Sequence, residues 1–150
     1  MTLKIFLIGS FCILGYEAEA ATPTVTPAMA ISSRAQCMND NGKACYVYAV
    51  YLCDNTDLLR ECRMFLERGC RLNNTDSCEE IKKDDKIGES FRRKCAAGDA
   101  YFCVVYASGM NIIFNEPLTA YRYANKACWL GSKSGCEYVE KHKVEIKINR

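Results

Sequence analysis

The sequence is short of the side chains that enzymes and metal sites usually need. A single histidine, His142, stands in 150 residues. That excludes a multi-histidine zinc centre and leaves little for histidine acid–base work. His142 lies in the charged run Glu140–Lys143 and reads as a surface residue. Cys-x-x-Cys is absent, so neither a thioredoxin-type redox pair nor a zinc ribbon is expected. A Gly-rich phosphate loop is missing too; Gly131 and Gly135 read as turn glycines. Charge is nearly balanced, with 20 Lys+Arg against 18 Asp+Glu, which argues against the strongly basic face of a nucleic-acid binder. The longest apolar run falls short of the roughly 20 residues that cross a bilayer, and the length suits one domain. Neither metal nor cofactor is expected.

Cysteine is the residue present in excess, at 11. One of them belongs to a segment with the signature of a signal peptide over residues 1–20. Lys4 gives a positive start, Ile5 to Leu14 is almost wholly apolar, and Ala18-Glu19-Ala20 supplies small residues for cleavage between Ala20 and Ala21. Ala28-Met29-Ala30 offers a second cleavage point. Cys12 leaves with this segment, because Phe11 sits where a lipoprotein signal needs a small residue. Ten cysteines then remain, an even number that fits five disulfides in an exported protein, periplasmic or secreted. No membrane anchor remains after cleavage. Residues 21–36 hold Pro23 and Pro27 among Thr, Ser and Ala and read as an extended linker.

The remaining cysteines are periodic. Cys37/Cys45, Cys70/Cys78, Cys95/Cys103 and Cys128/Cys136 each enclose seven residues, rich in the turn formers Asn, Asp, Gly and Ser. Between the pairs, apolar residues recur at three- and four-residue intervals, as in Leu58, Cys62, Phe65, Leu66 and Gly69, or Leu118, Tyr121, Ala124 and Ala127. Asn115 is a candidate helix cap before Glu116-Pro117, and Asn55, Thr56 or Asp57 before Leu58. The repeated unit is therefore helix, turn, helix, with a cysteine on each side of the turn. Cys53 pairs with Cys62 in this reading, across DNTDLLRE; Cys45 with Cys70 is the alternative. The chain is read as an all-α, right-handed α/α solenoid of disulfide-linked repeats over residues 37–143, with a tail at 144–150.

The stretch Lys94 to Glu140 resembles the Sel-one-like repeat, a relative of the tetratricopeptide repeat, and in particular the form found in the Helicobacter cysteine-rich proteins. The matching residues are Ala97-Gly98-Asp99-Ala100, Tyr106, Gly109, Ala120, Tyr123 and Lys126-Ala127-Cys128. Residues 37–78 match more weakly, and 78–95 look like a repeat cut down to two stubs, giving about three repeats. The resemblance implies a superhelix that holds a protein or peptide, with first helices on its concave face. Tyr46, Tyr48, Tyr51, Tyr101 and Tyr106 fall on those helices, and Tyr48, Tyr51 and Tyr101 are the candidate partner-binding residues. It also implies a second function, penicillin binding with weak β-lactamase activity. No Ser-x-x-Lys and no Lys-Thr-Gly occurs, so the serine β-lactamase machinery is missing and no catalytic residue is assigned. A binding protein is favoured over a β-lactamase-like hydrolase. Asn73-Asn74-Thr75 is a glycosylation sequon only in a eukaryotic secretory pathway.

Overall fold

The computed structural model describes residues 24–54 and 56–148, without side-chain placement at 56 and 144–148. The expected signal peptide, with Cys12 and the Ala20–Ala21 cleavage point, lies outside the described residues, as does Asn55. The described chain is all-α. Its helices are α1 (Pro27–Met38), α2 (Gly42–Cys53), α3 (Leu59–Arg71), α4 (Thr75–Ala96), α5 (Ala100–Ile112), α6 (Pro117–Trp129) and α7 (Lys133–Ile148), with one 3-10 turn at Thr56–Leu58. Two compact units divide inside α4, between Asp84 and Asp85. In the first, α2 packs against α1 and α3; in the second, α6 packs against α5 and α7.

Five disulfides link neighbouring helices with the expected pairings: Cys37–Cys45, Cys53–Cys62, Cys70–Cys78, Cys95–Cys103 and Cys128–Cys136. The fixed eight-residue separation has a local cause, seen in all four short turns. The residue three after the first cysteine adopts a left-handed backbone: Asp40 (φ 62°), Asn73 (φ 61°), Gly98 (φ 100°) and Gly131 (φ 88°). Its N–H donates to the carbonyl of that cysteine. The next N–H donates to the carbonyl of the residue before the cysteine, and these eight bonds measure 2.9–3.2 Å. This double closure is the Schellman ending, which satisfies carbonyls left over at a helix C-terminus.

The residue four after the cysteine then caps the following helix without any intervening linker. Asn41 Oδ1 accepts from the Ala44 N–H, Asn74 Oδ1 from Ser77, Asp99 Oδ1 from Tyr101 and Phe102, and Ser132 Oγ from Gly135. A helix that ends and restarts in so few residues places the last turn of one helix beside the first turn of the next. The two cysteines stand on those turns with Cα atoms 4.5–4.7 Å apart, inside the span a disulfide bridges.

The second unit repeats the first at a constant offset of 58 residues, the separation of Cys37 from Cys95 and of Cys70 from Cys128. Under that offset α3 maps onto α6 end to end, and the starts of α2 and α4 map onto those of α5 and α7. Buried Ala49, Cys62 and Leu66 correspond to buried Ala107, Ala120 and Ala124. Tyr48 meets Phe65 edge-to-face at 4.6 Å, and their counterparts Tyr106 and Tyr123 meet edge-to-face at 4.6 Å. The Arg68 guanidinium reaches back to the carbonyls of Cys37 and Met38 and to Asp40, covering the C-terminus of α1; Lys126 reaches the Ala96 carbonyl at the end of α4. The Cys53–Cys62 bridge has no counterpart, since Asn111 and Ala120 occupy those positions.

Several local expectations are corrected. Residues 27–36 of the supposed 21–36 linker belong to α1: Thr26 Oγ1 caps it, Pro27 sits in its first turn where no N–H is needed, and Ala30 and Cys37 are buried. Residues 78–95 are not two stubs but the interior of the 22-residue α4. That stretch contains no proline, and Lys83–Glu80, Arg92–Glu89 and Arg93–Glu89 ion pairs run along it at helical spacing. Asn115 does not cap α6. It takes the left-handed conformation (φ 55°), leaving Glu116 in the cap position, because asparagine tolerates that backbone as readily as it caps. Leu58, not Thr56 or Asp57, precedes α3 at its cap position. At the chain end, α7 continues to Ile148.

Candidate functional site

The rings proposed from the sequence separate by environment. Tyr46, Tyr48 and Tyr51 are all half-buried against the first unit's core of Ala49, Leu52, Cys62 and Leu66. Tyr46, Tyr48, Tyr51 and Cys53 do not share one side of α2, yet Phe65 and Leu58 from the next elements widen the apolar face enough to take all three rings. Tyr106 is likewise half-buried against Tyr123. Tyr101 alone among the three partner-binding candidates is an exposed ring, at 51%.

Tyr101 belongs to a cluster that the sequence reading did not assemble. Asp99 caps α5, so the first turn of that helix starts at a fixed angle and places Tyr101 and Phe102 side by side, edge-to-face at 5.2 Å. Phe91, one turn before Cys95 on α4, lies 5.3 Å from Phe102. Lys94 Nζ sits 4.1 Å above the Phe102 ring, a cation–π contact. Cys95–Cys103 fixes the two helix ends that carry these groups. Beside them, Glu89 binds Arg92 through two hydrogen bonds of 2.7 and 2.8 Å and Arg93 through one of 3.0 Å. Hydrogen bonds from Arg92 and then Arg93 hold the Glu89 carboxyl down at about 2, against 4.5 ordinarily. The same contact, with Tyr123 adding in the same direction, raises the Arg92 pKa. Burial pushes the Tyr106 hydroxyl up.

The sign of the Glu89 effect is fixed by that depression. Its contribution to folding is present above pH 4.5 and is lost as pH falls towards 2. Because the pair is on the surface, salt screens it. A carbon-detected NMR titration should place the Glu89 midpoint near 2, and Arg92→Ala should move it back towards 4.5. An unchanged midpoint in that variant would show that Arg92 is not the cause.

The offset comparison shows which of these groups the scaffold requires. The first-unit counterparts of Phe91, Arg93, Lys94, Tyr101 and Phe102 are Ser33, Ala35, Gln36, Lys43 and Ala44. The same turn and disulfide form with either set, so Phe91, Arg93, Lys94, Tyr101 and Phe102 are additions to the scaffold, whereas Arg92 has a counterpart in Arg34. Elsewhere, the His142 ring packs on Tyr138 at 4.3 Å. Among the described residues, no helix is long and apolar enough to cross a membrane, and no three His, Cys, Asp or Glu side chains are grouped to hold a metal ion. No family model, curated protein or solved structure matches the chain.

Proposed function

We propose that this is an exported, disulfide-stapled helical-repeat protein that works as a protein- or peptide-binding module, in the manner its resemblance to Sel-one-like repeats implies. Tyr101, Phe102 and Lys94 form its contact surface. The observation that carries this reading is the Tyr101–Phe102–Lys94 cluster itself, with Tyr101 and Lys94 exposed around the half-buried Phe102 ring, and absent from the otherwise equivalent turn of the first unit. Tyrosine and flanking cations supply contact area and polar reach at low entropic cost. Five disulfides support an oxidising compartment for the protein, and a rigid, pre-ordered surface loses little entropy on binding.

The test uses position-specific photocrosslinking in the producing cell. A photoreactive phenylalanine replaces Tyr101 in one variant and Lys43, its first-unit counterpart, in another. The position-101 variant should yield one discrete adduct that the position-43 variant lacks. Equal labelling at both positions, or none at 101, would reject the assignment.

A further inference from the structure

The outer face of α6 carries a second surface, independent of the Tyr101 cluster. Ala120, Ala124 and Ala127 are buried and fix which side of the helix faces the second unit's core. The opposite stripe runs Leu118, Arg122, Lys126, Trp129 at i, i+4, i+8 and i+11. Leu118 is 52% exposed and Trp129 84%. Three helical turns separate them, about 16 Å along the axis. Leu130 is exposed beside Trp129, and Lys133, exposed and 3.8 Å from Glu137, opens the next helix. From Pro117 to Cys136 there is no acidic residue, with Glu116 and Glu137 flanking the span.

The fold does not need this composition. The matching stripe on α3 is Arg60, Met64, Arg68, Arg71, and α3 also contains Glu61 and Glu67. α3 packs, turns and is stapled like α6 without an aromatic or an exposed leucine at either end. Apolar anchors separated by cations also do not make a contiguous dry patch of the kind that centres a protein interface. They match a bilayer interface, where a tryptophan and a leucine enter at headgroup depth while arginine and lysine lie at phosphate level.

We propose that α6 lies flat on an anionic phospholipid surface, with Leu118, Trp129 and Leu130 at headgroup depth and Arg122 and Lys133 on the phosphates. The contact is peripheral and reversible, since it combines a small apolar anchor with a basic patch. Trp129 is the only tryptophan in the chain, so its emission reports on this face alone.

The full oxidised chain is titrated with vesicles of phosphatidylcholine containing one-third phosphatidylglycerol. Trp129 emission should shift to shorter wavelength and lose acrylamide quenching. The shift should be absent with pure phosphatidylcholine and suppressed by high salt. Arg122→Glu with Lys133→Glu, both on exposed side chains, should weaken the vesicle affinity read from that shift by roughly a hundredfold. Trp129→Ala, followed by co-sedimentation, should weaken it about tenfold. Pelleting without an emission shift would mean that the N-terminal apolar segment adsorbs instead, and overturns the proposal. So would a shift that grows with protein concentration without lipid, which reports a second copy on this face. A shift with polyglutamate but not with vesicles would assign the face to an acidic protein and overturn it as well.

Discussion

Reduction of the disulfides should abolish cooperative thermal unfolding of this protein. Each of the four turn bridges closes a span of eight residues. On a chain-entropy basis each stabilises by about 2–3 kcal/mol, against a typical domain total of about 5–15 kcal/mol. The core has little to set against that loss. Among the described residues, the buried hydrophobic side chains are alanine and cysteine apart from Leu52 and Leu66. Four of the largest fully buried side chains are themselves bridged cysteines: Cys37, Cys45, Cys95 and Cys103. Far-UV circular dichroism in excess reductant should therefore show a broad, non-cooperative loss of helix near room temperature. A sharp transition that survives complete reduction, verified by thiol alkylation and mass spectrometry, would show that helix packing suffices. The Cys53–Cys62 bridge should be the most dispensable. The second unit closes the equivalent α5–α6 connection with Asn111 and Ala120 in place of the cysteines, so Cys53→Ala with Cys62→Ala should keep a cooperative melt.

Much of this architecture was legible in the chain because it is written in local backbone geometry. The eight-residue cysteine spacing follows from a Schellman ending followed at once by a capped start, and both need particular residues. Asp-Asn, Asn-Asn, Gly-Asp and Gly-Ser at positions 40–41, 73–74, 98–99 and 131–132 each provide a residue that tolerates positive φ and then one that caps. The pairing of Cys53 with Cys62 was legible for a different reason: residue 53 closes α2 and residue 62 lies in the first turn of α3.

What was missed depends on tertiary packing. α1 buries only Ala30 and Cys37, too few apolar positions to register as a periodic face in a segment with Pro27, Ser32 and Ser33. The continuity of α4 was hidden because turn spacing implied a short repeat, while the ion pairs that support a long helix leave no apolar signature. The half-burial of Tyr46, Tyr48 and Tyr51 depends on Phe65 and Leu58 from other elements. The 58-residue duplication was masked by substitution, since Cys62 and Leu66 become Ala120 and Ala124 and Gly69 becomes Ala127. The equal spacing of Cys62, Cys95 and Cys128 at 33 residues also suggests a register that the structure does not use. The Tyr101 cluster needed two helix ends to be brought together by Cys95–Cys103, and no single segment of sequence contains it.

The duplicated units also predict a pair of opposite outcomes at two close helix contacts. In the first unit Gly69 on α3 faces Ser77 on α4; at the same place in the second, Ala127 on α6 faces Gly135 on α7. Each crossing therefore has room for one side chain, carried on opposite helices in the two copies. A methyl added at Gly69 would collide first with the Ser77 side chain and then lie 3.2 Å from the Gly42 carbonyl. A methyl at Gly135 would come within 2.8 Å of the Ala124 carbonyl, the Ala127 Cβ and the Cys128 nitrogen. Alanine gains about 1 kcal/mol over glycine in helix propensity, but overpacking a rigid contact costs about 1–3 kcal/mol or more, so both Gly→Ala variants should be net destabilised. Their rescue should differ. Ser77→Gly should recover most of the loss in Gly69→Ala, with a coupling of about 1–3 kcal/mol, because the main obstacle is a side chain that the second substitution removes. Ala127→Gly should recover little in Gly135→Ala, because the Ala124 carbonyl and the Cys128 nitrogen belong to the backbone of α6 and stay in place. Urea unfolding of the four variants and two doubles under oxidising conditions reads this directly; equal rescue in the two units would mean that both crossings relax by helix displacement.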